Sequence, residues 1–310
     1  MRKALLSSLV LMVSTLGMSA NAAECESNLY TMNAGRGDVG VLVDINEGRA
    51  RGVSNYFYEA GDLANIHSRA LFSATAMAYD AATDRIYYAS TPTPSEYHLD
   101  GTDSGEFSED ELAGLNLQAK AFKPHRLAYF DISTQTHHMV GNTRYQITRM
   151  AFDPETGLLY GSDIGRLFTI DPTTGGQTMI GALSANLRFG GYTNWGDFVF
   201  YEGELLFVTN TRVFAINTTD ATETVKFFHN LDYITAASLD QNGEILVAVK
   251  NINVTGSPNS TNLWLLNPTP DAQNFGAQSY AGLVPMAVDA MARVATESST
   301  CYSPRFSILD

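Results

Sequence analysis

The chain has 310 residues, with 19 Lys and Arg against 33 Asp and Glu and a formal net charge of −14. That balance argues against nucleic acid and anionic membrane surfaces as partners, because both would be repelled. It suits a protein kept soluble by its own charge, or one that attracts cations or basic partners.

Residues 1–22 have the three-part layout of a secretory signal peptide. Arg2 and Lys3 form the basic start, an apolar run extends from Ala4 to Met18, and Ser19, Ala20 and Ala22 supply the small residues before a cut. The run is short of the ~20 residues a membrane anchor needs, and no later stretch is long and apolar enough to span a bilayer. Cleavage removes two positive charges and leaves the mature chain more acidic. Glu24 ahead of Cys25 is a poor fit to a lipidation site. The only other cysteine is Cys301. Export predicts a periplasmic or extracellular location, an oxidising one, where an even count predicts a Cys25–Cys301 disulfide. Two cysteines so far apart make no metal site.

After the signal, apolar segments are short and bounded by Asp, Gly, Pro, Asn or Thr, the pattern of many short strands with turns between them. One motif recurs. Met77-Ala-Tyr-Asp80 returns as Met150-Ala-Phe-Asp153, as Met286-Ala-Val-Asp289, and loosely as Ala237-Ser-Leu-Asp240. A turn and a second strand follow each time, as in Asp80 to Arg85-Ile-Tyr-Tyr-Ala-Ser90 and Asp153 to Leu158-Leu-Tyr-Gly-Ser162. Third strands end in an Asp or Asn step: Leu127 to Asp131, Leu167 to Asp171, Val213 to Asn217 and Leu263 to Asn267, with Val41 to Asp44 as an N-terminal match. Fourth strands end in glycine, at Gly141 and Gly181. Gly157, Gly203 and Gly243 pace the units at intervals of 46 and 40 residues, the spacing of a four-stranded propeller blade.

The expected fold is therefore all-β, a β-propeller of about five four-stranded blades over residues 23–310, with an acidic insertion at 91–124. A two-sheet sandwich is the alternative. The last blade is expected to be shared between the chain ends. Its first strand is placed at Met286 to Asp289, a weaker second near Ala292 to Thr296, and its third and fourth between Val39 and Val53. The two cysteines would flank that seam. Segments such as Arg149-Met-Ala-Phe-Asp-Pro-Glu-Thr-Gly-Leu-Leu-Tyr-Gly161 and Arg166-Leu-Phe-Thr-Ile-Asp-Pro-Thr-Thr-Gly175 resemble the blade repeats of exported bacterial propellers of the quinoprotein-like and YVTN-like kind. The resemblance implies the fold and no activity, and no quinone-cofactor ligand set is present.

Two places attract functional expectations. In the insertion, Asp100, Thr102, Ser104, Glu106 (through its carbonyl), Ser108 and Glu111 fall at the ligand positions of an EF-hand loop, with Gly105 at the sharp turn. Neutral oxygens at two positions and the Pro-rich entry at Thr91-Pro-Thr-Pro94 depart from the pattern. The alternatives are a weak calcium site and a solvated acidic loop. At the channel mouth, where the first strands of the blades begin, Thr75, Thr148 and Thr235 share one position. The next position holds Ala76, Arg149, Asp197, Ala236 and Pro285, with Trp195 close by. Such a mouth suits a small polar ligand such as a sugar or peptide; the structural alternative is that the threonines cap strands and Arg149 pairs with Asp197. Of the six histidines only His137 and His138 adjoin, and on a strand they face opposite ways. No nucleophile-elbow, zinc-protease or phosphate-loop motif occurs. The functional expectation is an exported, monomeric binding or interaction module for an unidentified protein or small ligand, with calcium as its one candidate cofactor and no catalytic residue. A hydrolase or lyase working at the channel mouth and a structural surface component are the alternatives.

Overall fold

The computed structural model describes residues 29–33, 40–45, 64–90, 125–240, 244–250, 260–284 and 286–294. Its strands, in chain order, begin with β1 (Leu29–Met32), β2 (Gly40–Ile45) and β3 (Ala64–Ala70). The first blade follows as β4 (Ala74–Asp80), β5 (Arg85–Ser90), β6 (His125–Asp131) and β7 (Thr136–Thr143). The second is β8 (Arg149–Phe152), β9 (Leu159–Ser162), β10 (Arg166–Ile170) and β11 (Gln177–Ala182); the short helix α1 (Ala185–Phe189) connects it to the third. That blade is β12 (Asp197–Tyr201), β13 (Glu204–Thr209), β14 (Arg212–Ile216) and β15 (Glu223–Phe228). The fourth is β16 (Ile234–Leu239), β17 (Ile245–Lys250), β18 (Thr261–Leu266) and β19 (Gln278–Val284), and β20 (Ala290–Arg293) comes last. These make five four-stranded antiparallel sheets. Their innermost strands β4, β8, β12, β16 and β20 touch in a closed circle, each against the next. The fold is a five-bladed β-propeller.

The recurring Asp is a turn device. At the end of β4, Asp80 accepts the Ala82 N–H at 3.0 Å and the Thr83 hydroxyl at 2.7 Å. At the end of β8, Asp153 takes the Glu155 N–H at 2.9 Å and the Thr156 hydroxyl at 2.6 Å. The side chain thus imitates a backbone turn and starts the second strand. Every blade also carries a register shift between its third and fourth strands, at Leu42/Val43, Leu127/Ala128, Leu167/Phe168, Val213/Phe214 and Leu263/Trp264. A bulge there adds twist to the outer edge of the sheet. The fourth-strand glycines serve close approach. A Cβ on Gly141 would stand 2.7 Å from the Thr174 carbonyl oxygen, and one on Gly181 2.6 Å from that of Asp220.

The core is divided into clusters between neighbouring blades. Ala76, Tyr87 and Leu127 of the first blade pack with Met150, Leu159 and Phe168 of the second. Tyr160 and Leu167 meet Phe200 and Phe207 across the next junction, and Val199 and Val213 meet Ile234 and Val247 across the one after. Each sheet is covered on both faces, so most residues of its inner strands are buried.

The seam blade differs from the expectation in its strand count. Its order is β20-β1-β2-β3, one strand from the C-terminal side and three from the N-terminal side. The innermost strand is Ala290–Arg293, four residues beyond Met286. Its neighbour is Leu29–Met32, paired from Leu29↔Arg293 to Met32↔Ala290, in place of residues 292–296. The third strand is Gly40–Ile45, as expected, but the fourth is Ala64–Ala70 and lies well beyond Val53. Met286 to Asp289 instead tie the approach to the ring: Thr261 Oγ1 donates to the Met286 carbonyl at 2.8 Å and accepts from the Val288 N–H at 3.0 Å. It follows that Ala290, and not Pro285, matches Arg149 and Asp197.

Candidate functional site

With the register corrected, each inner strand contributes four side-chain levels to the channel. From the end where the strands begin, the first holds Ala76, Arg149, Asp197, Ala236 and Ala290. Next come Met77, Met150, Phe198, Ala237 and Met291, then Ala78, Ala151, Val199, Ser238 and Ala292. The fourth holds Tyr79, Phe152, Phe200, Leu239 and Arg293. Strand alternation sends the first and third levels toward the following blade and the second and fourth toward the preceding one.

The first level ties the blades together at the entry end. Arg149 is buried. Its Nε donates to the Gly196 carbonyl at 3.1 Å, and its terminal nitrogens reach Thr148 Oγ1 at 3.0 Å, Ser162 Oγ at 3.4 Å and the Trp195 carbonyl at 3.4 Å. Its guanidinium carbon stands 4.8 Å from the centre of the Phe207 ring, a cation–π contact. Asp197, equally buried, accepts the N–H of Phe198 at 2.8 Å and that of Ala237, in the fourth blade, at 3.4 Å. Burial pushes the Asp197 carboxyl up, against the pull of these N–H groups and of Arg149. The same burial pushes Arg149 down, opposed by Asp197 and Asp163. A guanidinium stays charged in proteins all the same.

The threonines complete a circle of latches. Thr75 Oγ1 donates to the Ile147 carbonyl on the approach to the second blade at 2.9 Å and Thr235 Oγ1 to Val288 of the seam approach, whereas Thr148 Oγ1 donates to the Ser162 carbonyl within its own blade at 3.0 Å. The Gly196 N–H donates to Ile234 at 2.6 Å, and the Ala74 N–H to Asn33 at 3.3 Å. Trp195 is half-buried; its ring meets Tyr233 edge-on at 5.2 Å and its carbonyl accepts from Thr209 at 3.1 Å. The structure therefore brings Thr148, Arg149, Trp195 and Asp197 together, with Thr75 and Thr235 at neighbouring junctions. Asp100, Thr102, Ser104, Glu106, Ser108, Glu111, Cys25 and Cys301 lie outside the described residues.

Beneath the latches is a cavity of about 480 Å³, well inside the ~300–1,000 Å³ range of small-molecule sites. It is bounded by the lower three levels of all five inner strands and by the residues just beyond their ends, Ala81, Pro154, Asp240 and Val294. The small third-level residues Ala78, Ala151, Ser238 and Ala292 leave the room, and Phe152, Phe200 and Leu239 stand near the exit end. Arg293 and Asp240 are the charged residues among its lining. None of the candidate mouth residues lines it. Sequence reading missed these wall residues because their grouping needs all five strands in register; the repeat of an aromatic before Asp at Tyr79 and Phe152 was the available signal.

Among the described residues, no three His, Cys, Asp or Glu side chains converge as a metal set, and no helix is long and apolar enough to cross a membrane. His137 bridges blades: its Nε2 lies 2.8 Å from Ser68 Oγ and its Nδ1 3.1 Å from the Tyr88 hydroxyl.

No family model matches the chain, and no curated protein does. Solved structures that it resembles include a Bacteroides caccae protein of unknown function, at 10% identity and a TM-score of 0.41, covering 84% of this chain and 73% of that one. A chain of a nidogen/laminin complex aligns at 10% identity and a TM-score of 0.39, covering 85% of this chain and 97% of its own. Hydrazine synthase of Kuenenia stuttgartiensis aligns at 11% identity and 0.38, covering 78% of this chain and 59% of its own.

Proposed function

We propose that this chain is an exported propeller that binds a small molecule without transforming it, and that the central channel is where it binds. One observation carries the reading: a cavity of about 480 Å³ bounded by all five blades, at the place where a closed ring brings side chains from distant parts of the sequence together. The charged residues at the entry end support binding over catalysis. Arg149 and Asp197 are buried and each bonds a main-chain group of a neighbouring blade, which is the use of charge that holds a scaffold together. Residues 1–22 direct export, and Cys25 and Cys301 form a bridge across the seam in the periplasm or outside the cell. Residues 100–111 hold calcium weakly, in the ~10⁻⁴–10⁻³ M range of extracellular modules.

N-phenyl-1-naphthylamine, an uncharged fluorophore, tests the channel. Titrated into the mature protein, it should brighten and saturate near one per chain. Ala151→Trp and Ser238→Phe each fill the third level and should abolish the signal while the far-UV spectrum is kept. Equal brightening in both folded variants would place the dye elsewhere and overturn the reading. Calorimetry with calcium on the wild type and on Glu111→Gln tests the loop; no heat from the wild type at millimolar calcium removes that part.

A further inference from the structure

Charge on the ring is sorted by end. At the entry end, second strands pass to third strands and fourth strands pass to the next blade. Among the described residues that end carries Arg69, Arg126, Arg144, Arg166, Arg188 and Arg212. Its unburied acids are Asp163, Asp232 and Asp289. The turns at the exit end have the opposite sign, through Asp80, Asp131, Asp153, Asp171, Asp220 and Asp271 against Arg85 and Arg293. A chain with a net charge of −14 thus has one basic face.

The basic residues concentrate over the second blade. Arg144, on the approach to β8, and Arg166, the first residue of β10, both stand over the Tyr145 ring, at 5.0 and 4.6 Å from its centre. Arg166 also pairs with Asp163 at 2.6 Å. Gly165 lies against the stem of Arg188 in α1: a Cβ there would stand 3.5 Å from Arg188 Cδ. The Arg188 guanidinium in turn lies 5.4 Å from the centre of the Phe189 ring. Three arginines and two aromatic rings therefore form one strip. Phe189, 83% exposed, and Ile164, 54% exposed, are on it, and they are the two most exposed large apolar residues among those described. The acids nearby are engaged. Asp163 Oδ1 accepts the N–H groups of Gly165 and Arg166, each at 2.7 Å, and Glu223 accepts from Ser184 at the start of α1.

We propose that this strip is a docking surface for an acidic polypeptide segment of a partner protein, one that also carries large apolar side chains. The surface is separate from the channel, whose lining includes none of these residues. Charge selects the partner's sign. A guanidinium offers a planar fork that matches a carboxylate, and stacking on a ring leaves that fork ordered before binding. The apolar residues select its kind. Exposed aromatic and aliphatic side chains among arginines have the composition of a protein interface, where they act as anchors. A sugar polyanion has no apolar side chain to cover Phe189 and Ile164. Nucleic acid fits less well, because guanidiniums already stand over the Tyr145 and Phe189 rings, where a base would stack. A long polyanion also meets the repulsion of the whole acidic chain. A short acidic segment meets mainly the local charges, since salt screens the rest beyond about 8 Å at physiological ionic strength.

Fluorescence anisotropy on the mature protein tests the strip. The probes are short fluorescein-labelled peptides: one of alternating Glu and Phe, one with Gln in place of Glu, and one with Gly in place of Phe. The first should bind about tenfold tighter than either of the others, and added salt should weaken it. Arg144→Gln combined with Arg188→Gln should lower its affinity about tenfold. Phe189→Ser should do much the same, and both variants should keep the wild-type Tm and the dye signal of the channel. Lys250→Gln, on the fourth blade, should change nothing. No binding of the Glu–Phe peptide, equal binding of all three peptides, or full affinity in the strip variants overturns the proposal. So does oligothymidylate or a heparin fragment that binds tighter than the peptide and depends on the same arginines. Peptide binding that appears only when a Gly-Ser linker replaces residues 91–124 overturns it as well, because the partner would then be this chain's own acidic insertion.

Discussion

Replacing Arg149 by Met is the sharpest test of how the entry end holds the ring. The guanidinium is buried and bonds two main-chain carbonyls of the third blade, those of Gly196 and Trp195, and two hydroxyls of its own. Met fills similar volume but offers no donor. The Gly196 carbonyl then loses this donor, the Trp195 carbonyl is left with Thr209, and Asp197, already disfavoured as an anion by burial, loses the attraction of Arg149. Breaking one side of such a buried arrangement costs about 3–5 kcal/mol. For a chain of this size each kcal/mol lowers Tm by about 2–4 °C, so the melting point should fall by roughly 6–20 °C. Asp197→Asn keeps the shape but turns an amide NH₂ toward one of the two N–H groups that the carboxylate accepts, at about 1–3 kcal/mol. The two changes act on one network. The double variant should therefore cost less than their sum, with a coupling of about 1–3 kcal/mol. Denaturant titration followed by circular dichroism measures all four corners of the cycle. Additivity, or a cost below 1 kcal/mol for Arg149→Met, refutes the idea that these residues latch the blades electrostatically.

Three further outcomes follow from the packing. Burial pushes His229 down to about 4, below its ordinary value near 6.5, so the unfolded chain binds the proton first. Stability is complete above pH 6.5 and falls as pH drops from there to 4, by about 3 kcal/mol for this group. His229→Gln should flatten that part of the profile, and an unchanged slope counts against the assignment. His137, likewise pushed down to about 4, adds a loss of the same sign at the junction of the first and seam blades. Gly196→Ala should destabilise severely, because the residue sits at φ +91° and a Cβ would run into the Val208 carbonyl; Gly157→Ala, at φ +68° with open space around it, should cost about 1 kcal/mol by comparison. A melt showing equal losses would refute the steric account. Finally, Cys25→Ser and Cys301→Ser should each lower Tm by the same amount, and reducing agent should lower the wild type alone; any free thiol in the exported wild type would sink the bridge.

Much of the ring was legible because the turn chemistry repeats. Asp80 and Asp153 do the same work at the ends of equivalent strands, and the stretch between them carries the same second and third strands. The seam misled because Met286-Ala-Val-Asp289 has the letters of the repeat without its geometry. Asp289 donates its N–H to the Met32 carbonyl at 3.0 Å and starts no turn. The true inner strand reads Ala290-Met-Ala-Arg293, which matches Ala76-Met-Ala-Tyr79 until Arg293 replaces an aromatic residue. Its neighbour, Leu29–Met32, is buried at every position, so it shows no alternation by which a four-residue strand announces itself. Arg149 and Asp197 start equivalent strands as the repeat places them, while Pro285 does not, and their bonds to main-chain atoms of neighbouring blades are encoded by no spacing along the chain. The cavity was hidden for the same reason: its walls come from five strands, one per blade.

The one-plus-three seam has a consequence for how the protein comes to exist. β1 pairs with β20 across nearly the entire described chain, and these contacts form only after everything between them has been made. A chain that folds from its N-terminus as it is synthesised assembles β1, β2 and β3 as a sheet whose inner edge is bare, its N–H and C=O groups unpaired until Ala290–Arg293 arrives. Closure is therefore a late, long-range event and a slow one. Until it happens, the blade at the seam is an open template for strands of other molecules. The inner seam strand, Ala290–Arg293, is at once the cover of that edge and one wall of the central cavity, so completion of the ring and completion of the cavity are the same step.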